Sequence, residues 1–369
     1  MARFDRYVTD STKTLVNLSN SILRHYGHAT FHPSLPEFDH LFKGHRKIAV
    51  FLFDAMGEAI LNAHSYLGRD FLKHGFASLY CVNPATTVAS TTSFLTARFP
   101  VETGWIGWSQ QFDNYGIPID CFRGTSSIDK SKVEDFSMDK ECPVTRLDSL
   151  LAEVGVKAKI SYPYPLSEAG PKTYRDIEAQ ATDFFASGGE FLYSYYEEPD
   201  SSLHQRGVHS LKVGFIIRAL SKAVERFAKN NPDVLILVIA DHGQIDVKTK
   251  DIAEVPEIRD ALRKPISLDG RCRAFFVKEE CRDAFPTLMK KHYPDFEVLS
   301  ASEALDEHFF GVGDPHPRIK EFLGDFIAVA KGDSLLVDTS RKSNVHILKG
   351  HHAGITKEEK TVLVCAYNK

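Results

Sequence analysis

The chain has 369 residues, of which 43% are hydrophobic and 25% charged, and a formal net charge of −4. That length suits one large α/β domain with an insertion, or two domains. The mild acidity gives no electrostatic reason to expect a nucleic-acid polymer or an acidic membrane as partner, so an anionic substrate would have to be drawn in by local metal charge.

In chain order, a helix is predicted over Asp10–His25, where Leu15, Leu18 and Ile22 recur at helical spacing and Asp10 or Ser11 can cap the start. The run Lys47–Phe53 (KIAVFLF) then reads as a strand buried on both faces, stopping at Asp54. Gly57–Ala63 reads as a helix, Ala77–Val82 as a strand, Asn83–Thr87 as a turn and Val88–Thr96 as a helix. Thr103–Ser131 reads as loop, with Gly104, Gly107, Gly116, Trp105 and Trp108; the tryptophans either stack on a base or plug the core. Alternation resumes with helix Val144–Val154, strand Val156–Tyr162, helix Thr173–Ala186, strand Glu190–Tyr196, amphipathic helix Leu211–Phe227 and the most apolar strand, Val234–Ala240, which stops at Asp241.

This rhythm predicts an α/β fold, a mostly parallel central sheet with helices on both faces. It breaks after Asp246. Strands are expected at Arg271–Val277 and Phe296–Ser300, a helix near Glu279–Lys291, and a hairpin of Phe326–Ala330 with Ser334–Asp338 across Lys331-Gly332-Asp333. Residues 250–345 therefore read as a smaller α+β insertion that shapes the substrate pocket. Residues 1–249 and 346–369, ending in the strand Thr361–Ala366, form the catalytic core.

Six cysteines (Cys81, Cys121, Cys142, Cys272, Cys281 and Cys365) are scattered without a C-x-x-C pair, which fits free thiols in a reducing, cytoplasmic setting. The opening MARFDRYVTDSTK is polar and no apolar run approaches bilayer length, so neither export nor membrane anchoring is expected. Nothing in the sequence addresses oligomeric state.

Five distant segments bring Asp, His or Thr to a strand exit or a helix entrance. In EEPDSSLHQRG, Asp200 and His204 stand four apart, on one side of a helical turn, as metal ligands or as a cap and a solvated imidazole. Asp54 and Asp241-His242-Gly243 follow buried strands, where α/β sheets bind ligands, although each also reads as a polar strand end. His351-His352-Ala353-Gly354 precedes the last strand, with small residues that let backbone approach a metal, or forms an exposed turn. In Pro84–Pro100, hydroxyls crowd a helix N-terminus, a natural phosphate site in which a hydroxyl facing a metal can serve as nucleophile; Thr86 or Thr87 would otherwise simply cap the helix. Together they supply ligands for two metal ions and one nucleophile. Mixed N/O donors suit Zn²⁺ first and Mn²⁺ second.

The ordered strings VFLFDAMG, NPATTVASTTSFLTARFPVETGW, EEPDSSLHQRG, VIADHGQ and KGHHAG resemble the alkaline phosphatase superfamily, in its type I phosphodiesterase/nucleotide pyrophosphatase branch. The resemblance runs from Lys47 to the last strand and is weakest across 250–345. It implies that Asp54, Asp241 and His242 hold one metal beside the nucleophile Thr87, that Asp200, His204 and His352 hold the other, and that a phosphothreonine intermediate forms. Thr87 is chosen over Thr86 by counting back from Leu95-Thr96-Ala97, and His352 over His351 by reading Gly350–Gly354 against the family's Gly-x-His-Gly-Gly. Ser90 stands where the diesterases often place an Asn that binds a phosphoryl oxygen, and Ala97 where a Gly is usual. The arginine of the related monoesterases is absent after the nucleophile, which favours phosphodiesters or nucleotide pyrophosphates as small-molecule substrates; the missing C-x-P-x-R disfavours sulfate esters. The alternatives are a phosphomonoester or phosphonate hydrolase, a phosphomutase, or a non-catalytic binding protein on the same scaffold.

Overall fold

The computed structural model describes residues 10–163, 166–341 and 348–369. The opening residues 1–9, part of the polar N-terminal stretch, and positions 345 and 346, the expected boundary between insertion and core, lie outside the described residues.

A six-stranded sheet organises the molecule, in the spatial order Gly75–Tyr80, Thr361–Tyr367, Val234–Ile239, Lys47–Phe53, Phe191–Tyr196, Ala158–Ser161. The strand Lys47–Phe53 pairs in parallel with both Phe191–Tyr196 and Val234–Ile239, and Ala158–Ser161 extends the parallel half. Thr361–Tyr367 joins antiparallel between Val234–Ile239 and Gly75–Tyr80. Each residue of Val234–Ile239 is buried because helices cover both faces, which is why the run shows no polar alternation. On one face Phe51 meets Phe227 of the helix Leu211–Asn230, with ring centroids 5.3 Å apart; on the other, Tyr193 stacks at 5.5 Å on Phe94 of the helix Thr87–Thr96. The fold is thus α/β, with a central, mostly parallel sheet between helices.

Three sequence expectations need correction. Thr103–Ser131 contains a three-stranded antiparallel sheet, Ser109–Phe112, Ile117–Asp120 and Thr125–Ser126. Strands of four residues or fewer leave too little alternation to read. Phe326–Ala330 and Ser334–Val337 do not form a hairpin. The first lies inside a four-stranded antiparallel sheet between Cys272–Phe275 and Phe296–Ser300, and the second pairs in parallel with Lys248–Asp251. The buried Arg271 guanidinium takes the carbonyls of Gly332 and Ser334 at 2.8 and 2.7 Å, diverting the chain at the expected turn. Finally, the helix expected over Glu279–Lys291 is a 3₁₀ turn, Glu279–Cys281, followed by a helix Phe285–His292. Pro286 lacks an N–H and so belongs in the first turn of the second element.

The segment after Asp246 is not a separate lobe hung on a linker. Phe276, Leu299, Phe322 and Val329 share one apolar cluster with Val88, Ala89, Trp105 and Ile106, which follow the nucleophile candidate. Among the described residues, no helix is long and apolar enough to cross a membrane.

Candidate metal centre

Parallel pairing puts the carboxyl ends of the strands Lys47–Phe53, Phe191–Tyr196 and Val234–Ile239 on one edge, so the residues that follow them converge. Glycine makes the closest approach possible. A Cβ on Gly57 would come within 2.6 Å of the Gly243 Cα, and a Cβ on Gly243 within 2.0 Å of the Glu358 carbonyl oxygen. Only two bare backbones can bring the exit loops of Asp54 and Asp241 so near each other.

Two groups of three result. Asp54, Asp241 and His242 form one, and Asp200, His204 and His352 the other; within each group the potential ligand atoms lie within 4.8 Å of one another. The two groups abut, since the rings of His242 and His352 stack at 3.9 Å. Asp200 opens the helix Asp200–Arg206 and His204 follows one turn later. Ala353 adopts a left-handed φ of 87°, turning the chain sharply after His352 at a position better suited to glycine.

The donor chemistry fits two cations. His204 Nδ1 donates to the Gly350 carbonyl at 2.8 Å, His352 Nδ1 to that of Ala85 at 3.1 Å and His242 Nδ1 to that of Gly243 at 3.0 Å. A carbonyl only accepts, so each Nδ1 carries the proton and each Nε2 turns a lone pair inward. Facing those lone pairs are the buried carboxylate oxygens Asp54 Oδ1, Asp241 Oδ2 and Asp200 Oδ1, none with a hydrogen-bond partner. Separations to the imidazoles are 3.5 Å from Asp54 Oδ1 and 3.4 Å from Asp241 Oδ2 to His242 Nε2, and 3.3 and 3.9 Å from Asp200 Oδ1 to His204 and His352 Nε2. Acceptors facing acceptors in a buried space repel unless a cation lies between them.

At Asp54, Asp241 and His352 the proton affinities agree. Burial, then the charges of Asp241 and Asp200, pushes the Asp54 carboxyl well above its ordinary range, and burial raises Asp241. Burial and the neighbouring imidazoles hold His352 well below its usual value. Burial opposes charge on His204 as well, but the Asp200 carboxylate outweighs it and the net shift is upward.

Thr87 lies at the seam. It is the first residue of the helix Thr87–Thr96, and its Oγ1 lies 3.2 Å from His242 Nε2 and 3.5 Å from Asp54 Oδ2. The first N–H groups of such a helix lack intrahelical acceptors and face this space. Thr86 is the N-cap residue, but its side chain makes no capping bond; it donates instead to Asp269 Oδ1 at 3.1 Å. Ser90, one turn past Thr87, is fully buried with an unpartnered hydroxyl. Trp105 is buried, its indole N–H held by the Cys142 carbonyl at 2.9 Å.

Sequence reasoning missed two residues here. The Tyr195 hydroxyl donates to Asp54 Oδ2. Tyr195 lies inside an aromatic-rich strand, where its hydroxyl carried no separate signal. Asp269 comes from the segment after Asp246 and also accepts the backbone N–H of Trp108 at 3.0 Å, so it ties the entrance of the Thr87–Thr96 helix to the Trp108 loop. In the sequence it looks like half of an Asp-Gly turn.

The family model of type I phosphodiesterases/nucleotide pyrophosphatases matches residues 166–354. The chain belongs to that family, within the alkaline phosphatase superfamily, and phosphoric ester hydrolysis is the class of reaction this membership assigns to it. No curated protein sequence matches the chain. Among solved structures, murine ectonucleotide pyrophosphatase/phosphodiesterase 5 superposes with a TM-score of 0.65 at 15% identity, covering 87% of this chain and 88% of that one. An inactive form of the same murine protein in complex with AMP gives a TM-score of 0.64 at 15% identity over 87% and 88%. Phosphonoacetate hydrolase from Sinorhizobium meliloti 1021, in complex with phosphonoacetate, gives 0.67 at 13% identity over 88% and 90%. At such identities these likenesses speak for the fold.

Proposed function

We propose that the chain is a two-metal hydrolase of small phosphate esters, preferring phosphodiesters or nucleotide pyrophosphates, and that Thr87 is its nucleophile. The observation that carries this reading is the Thr87 hydroxyl lying 3.2 Å from His242 Nε2, at the junction of two triads whose buried carboxylate oxygens lack partners. A protein that only binds a ligand has no use for an oxygen aimed this way.

Asp54, Asp241 and His242 would hold one divalent cation, and Asp200, His204 and His352 the other, with zinc the first candidate and manganese the second. Such a pair, when bound, lowers the pKa of the Thr87 hydroxyl and neutralises the attacking and leaving oxygens. Thr87 Oγ attacks phosphorus, the bond to the leaving oxygen breaks, and a phosphothreonine forms. Attack by water from the opposite side then cleaves the Oγ–P bond and restores the hydroxyl. The helix N-terminus offers its free N–H groups to the phosphoryl oxygens, and Ser90, one turn on, carries a buried hydroxyl without a partner. Tyr195 fixes one Asp54 oxygen and leaves the other without a partner, as a ligand atom for a cation would be. Residue 88 is Val, so no arginine clamps a third phosphate charge next to the nucleophile, which favours a diester over a monoester. Six free cysteines, five of them buried, fit a reducing compartment.

The test is hydrolysis by zinc-loaded protein of p-nitrophenyl phosphate, bis-p-nitrophenyl phosphate and a nucleoside triphosphate. The diester or the nucleotide should be preferred, and Thr87→Ala should lose at least about a thousandfold in kcat while keeping both metals by elemental analysis. Near-normal turnover by that variant would end the nucleophile assignment.

A further inference from the structure

Beside the metal triads, on the same edge of the sheet, lies a cavity that the phosphorus chemistry leaves unused. The strand Ala158–Ser161 runs parallel to Phe191–Tyr196, which runs parallel to Lys47–Phe53. Tyr162, at the exit of the first, is therefore two strand intervals, about 10 Å, from the strand that delivers Asp54. A volume of about 290 Å³ opens there, walled by four rings, Trp105, Phe122, Phe136 and Tyr162, and three cations, Arg123, Lys132 and Arg146. Arg123 is close enough to Glu197, in the turn that carries Asp200, for its charge to act on that carboxyl.

The cations are only partly compensated. Arg146 pairs with Asp139, also on the wall, at 2.6 Å. Among the described residues Arg123 makes no ion pair; its guanidinium lies 5.4 Å from the Trp108 ring centroid. The Lys132 ammonium donates to the Arg123 carbonyl at 3.3 Å and lies so close over Gly124 that a Cβ there would come within 3.1 Å of it. Two cations without carboxylate partners among the described residues, at one cavity in a chain of net charge −4, make a local reversal of sign. The ring walls offer flat apolar surface next to that charge.

We propose that this cavity seats the organic part of the ester, and that this part is a ring bearing its own anionic group, a carboxylate or a second phosphate. The inference rests on the hydrolase reading above and adds a substrate class to it. Arg123 and Lys132 take the anion, while Trp105, Phe122 and Tyr162 take the ring.

Two measurements test it. In the first, zinc-loaded protein is given 4-carboxyphenyl 4-nitrophenyl phosphate and phenyl 4-nitrophenyl phosphate, which differ only in the anion. The carboxylated ester should have a kcat/KM about tenfold higher, mainly through KM, and the ratio should fall towards one in Arg123→Gln and Lys132→Gln. Equal kcat/KM values in the unmutated protein, or a ratio that both variants preserve, would overturn the proposal. A phosphate in place of the carboxylate on the same ring shows which anion is favoured. In the second, metal-loaded Thr87→Ala protein is titrated with benzoate and with neutral benzamide, read by tryptophan fluorescence. Both tryptophans of the chain report here, Trp105 from the wall and Trp108 beside Arg123. Saturable binding of benzoate but not benzamide, weakened about tenfold by Arg123→Gln, supports the cavity even if neither ester is hydrolysed, in which case only the hydrolase reading has failed. Equal responses to the two ligands overturn the anion site by themselves.

Discussion

At the scale of single residues, the centre is built from lone pairs that have nowhere else to go. Asp54 divides its work: one oxygen accepts the Tyr195 hydroxyl, and the other faces His242 Nε2 without a hydrogen bond. Tyr195→Phe should therefore leave the fold intact and weaken zinc affinity by about 10- to 100-fold, measured by competition with a chelator. Unchanged affinity would mean that the hydroxyl does not orient the carboxylate. The raised Asp54 pKa has its own consequence. A carboxyl that holds its proton more tightly folded than unfolded contributes stability below the ordinary carboxylate range and loses it as pH rises through the raised value. Chelated protein should thus lose melting temperature as pH rises from the ordinary carboxylate range through the raised value, and Asp54→Asn should lose less over that window. Added zinc should restore more at the upper end, and a flat chelated profile by scanning fluorimetry would contradict this account.

At the scale of elements, the helix Thr87–Thr96 is held at its entrance by another part of the chain. The N-cap Thr86 spends its hydroxyl on Asp269, and the same carboxylate holds the Trp108 N–H. Burial raises the Asp269 pKa, with the Trp108 N–H and the Arg273 charge pulling the other way. Asp269→Ala leaves two buried donors unsatisfied and frees the first turn bearing Thr87. It should lower kcat by roughly 10- to 100-fold with zinc content unchanged. Equal loss of metal and activity would instead point to general unfolding of the site. The helix ends at Ala97 with a left-handed φ of 54°, a conformation that favours glycine. The strand ends were readable because hydrophobic runs ended at Asp54 and Asp241. Thr103–Ser131 and the supposed hairpin were not, because their strands are short and their partners distant in sequence.

At the scale of the whole molecule, the segment after Asp246 packs into the same apolar cluster as the residues following Thr87. Heat should therefore melt the metal-loaded protein in a single calorimetric transition. Two separated transitions would show that the inserted part folds on its own. The same arrangement places the four-stranded sheet around Asp269 against the site, so substitutions in that sheet should reach the chemistry through Thr86 rather than through the metals.

Local patterning determined a great deal by itself. Two continuous apolar strands ending in aspartate, a hydroxyl-rich helix entrance and an Asp-x-x-x-His turn announced the α/β sheet and nominated the residues that gather at its edge. Those signals are short-range, carried by the repeat of side chains along a strand or helix. What only tertiary structure decided was which oxygen of each carboxylate lies unpartnered, which imidazole nitrogen is committed to a carbonyl, and that Asp269 and Tyr195 brace the site. Those are contacts between residues far apart along the chain, and a repeat of two or of 3.6 carries no information about them.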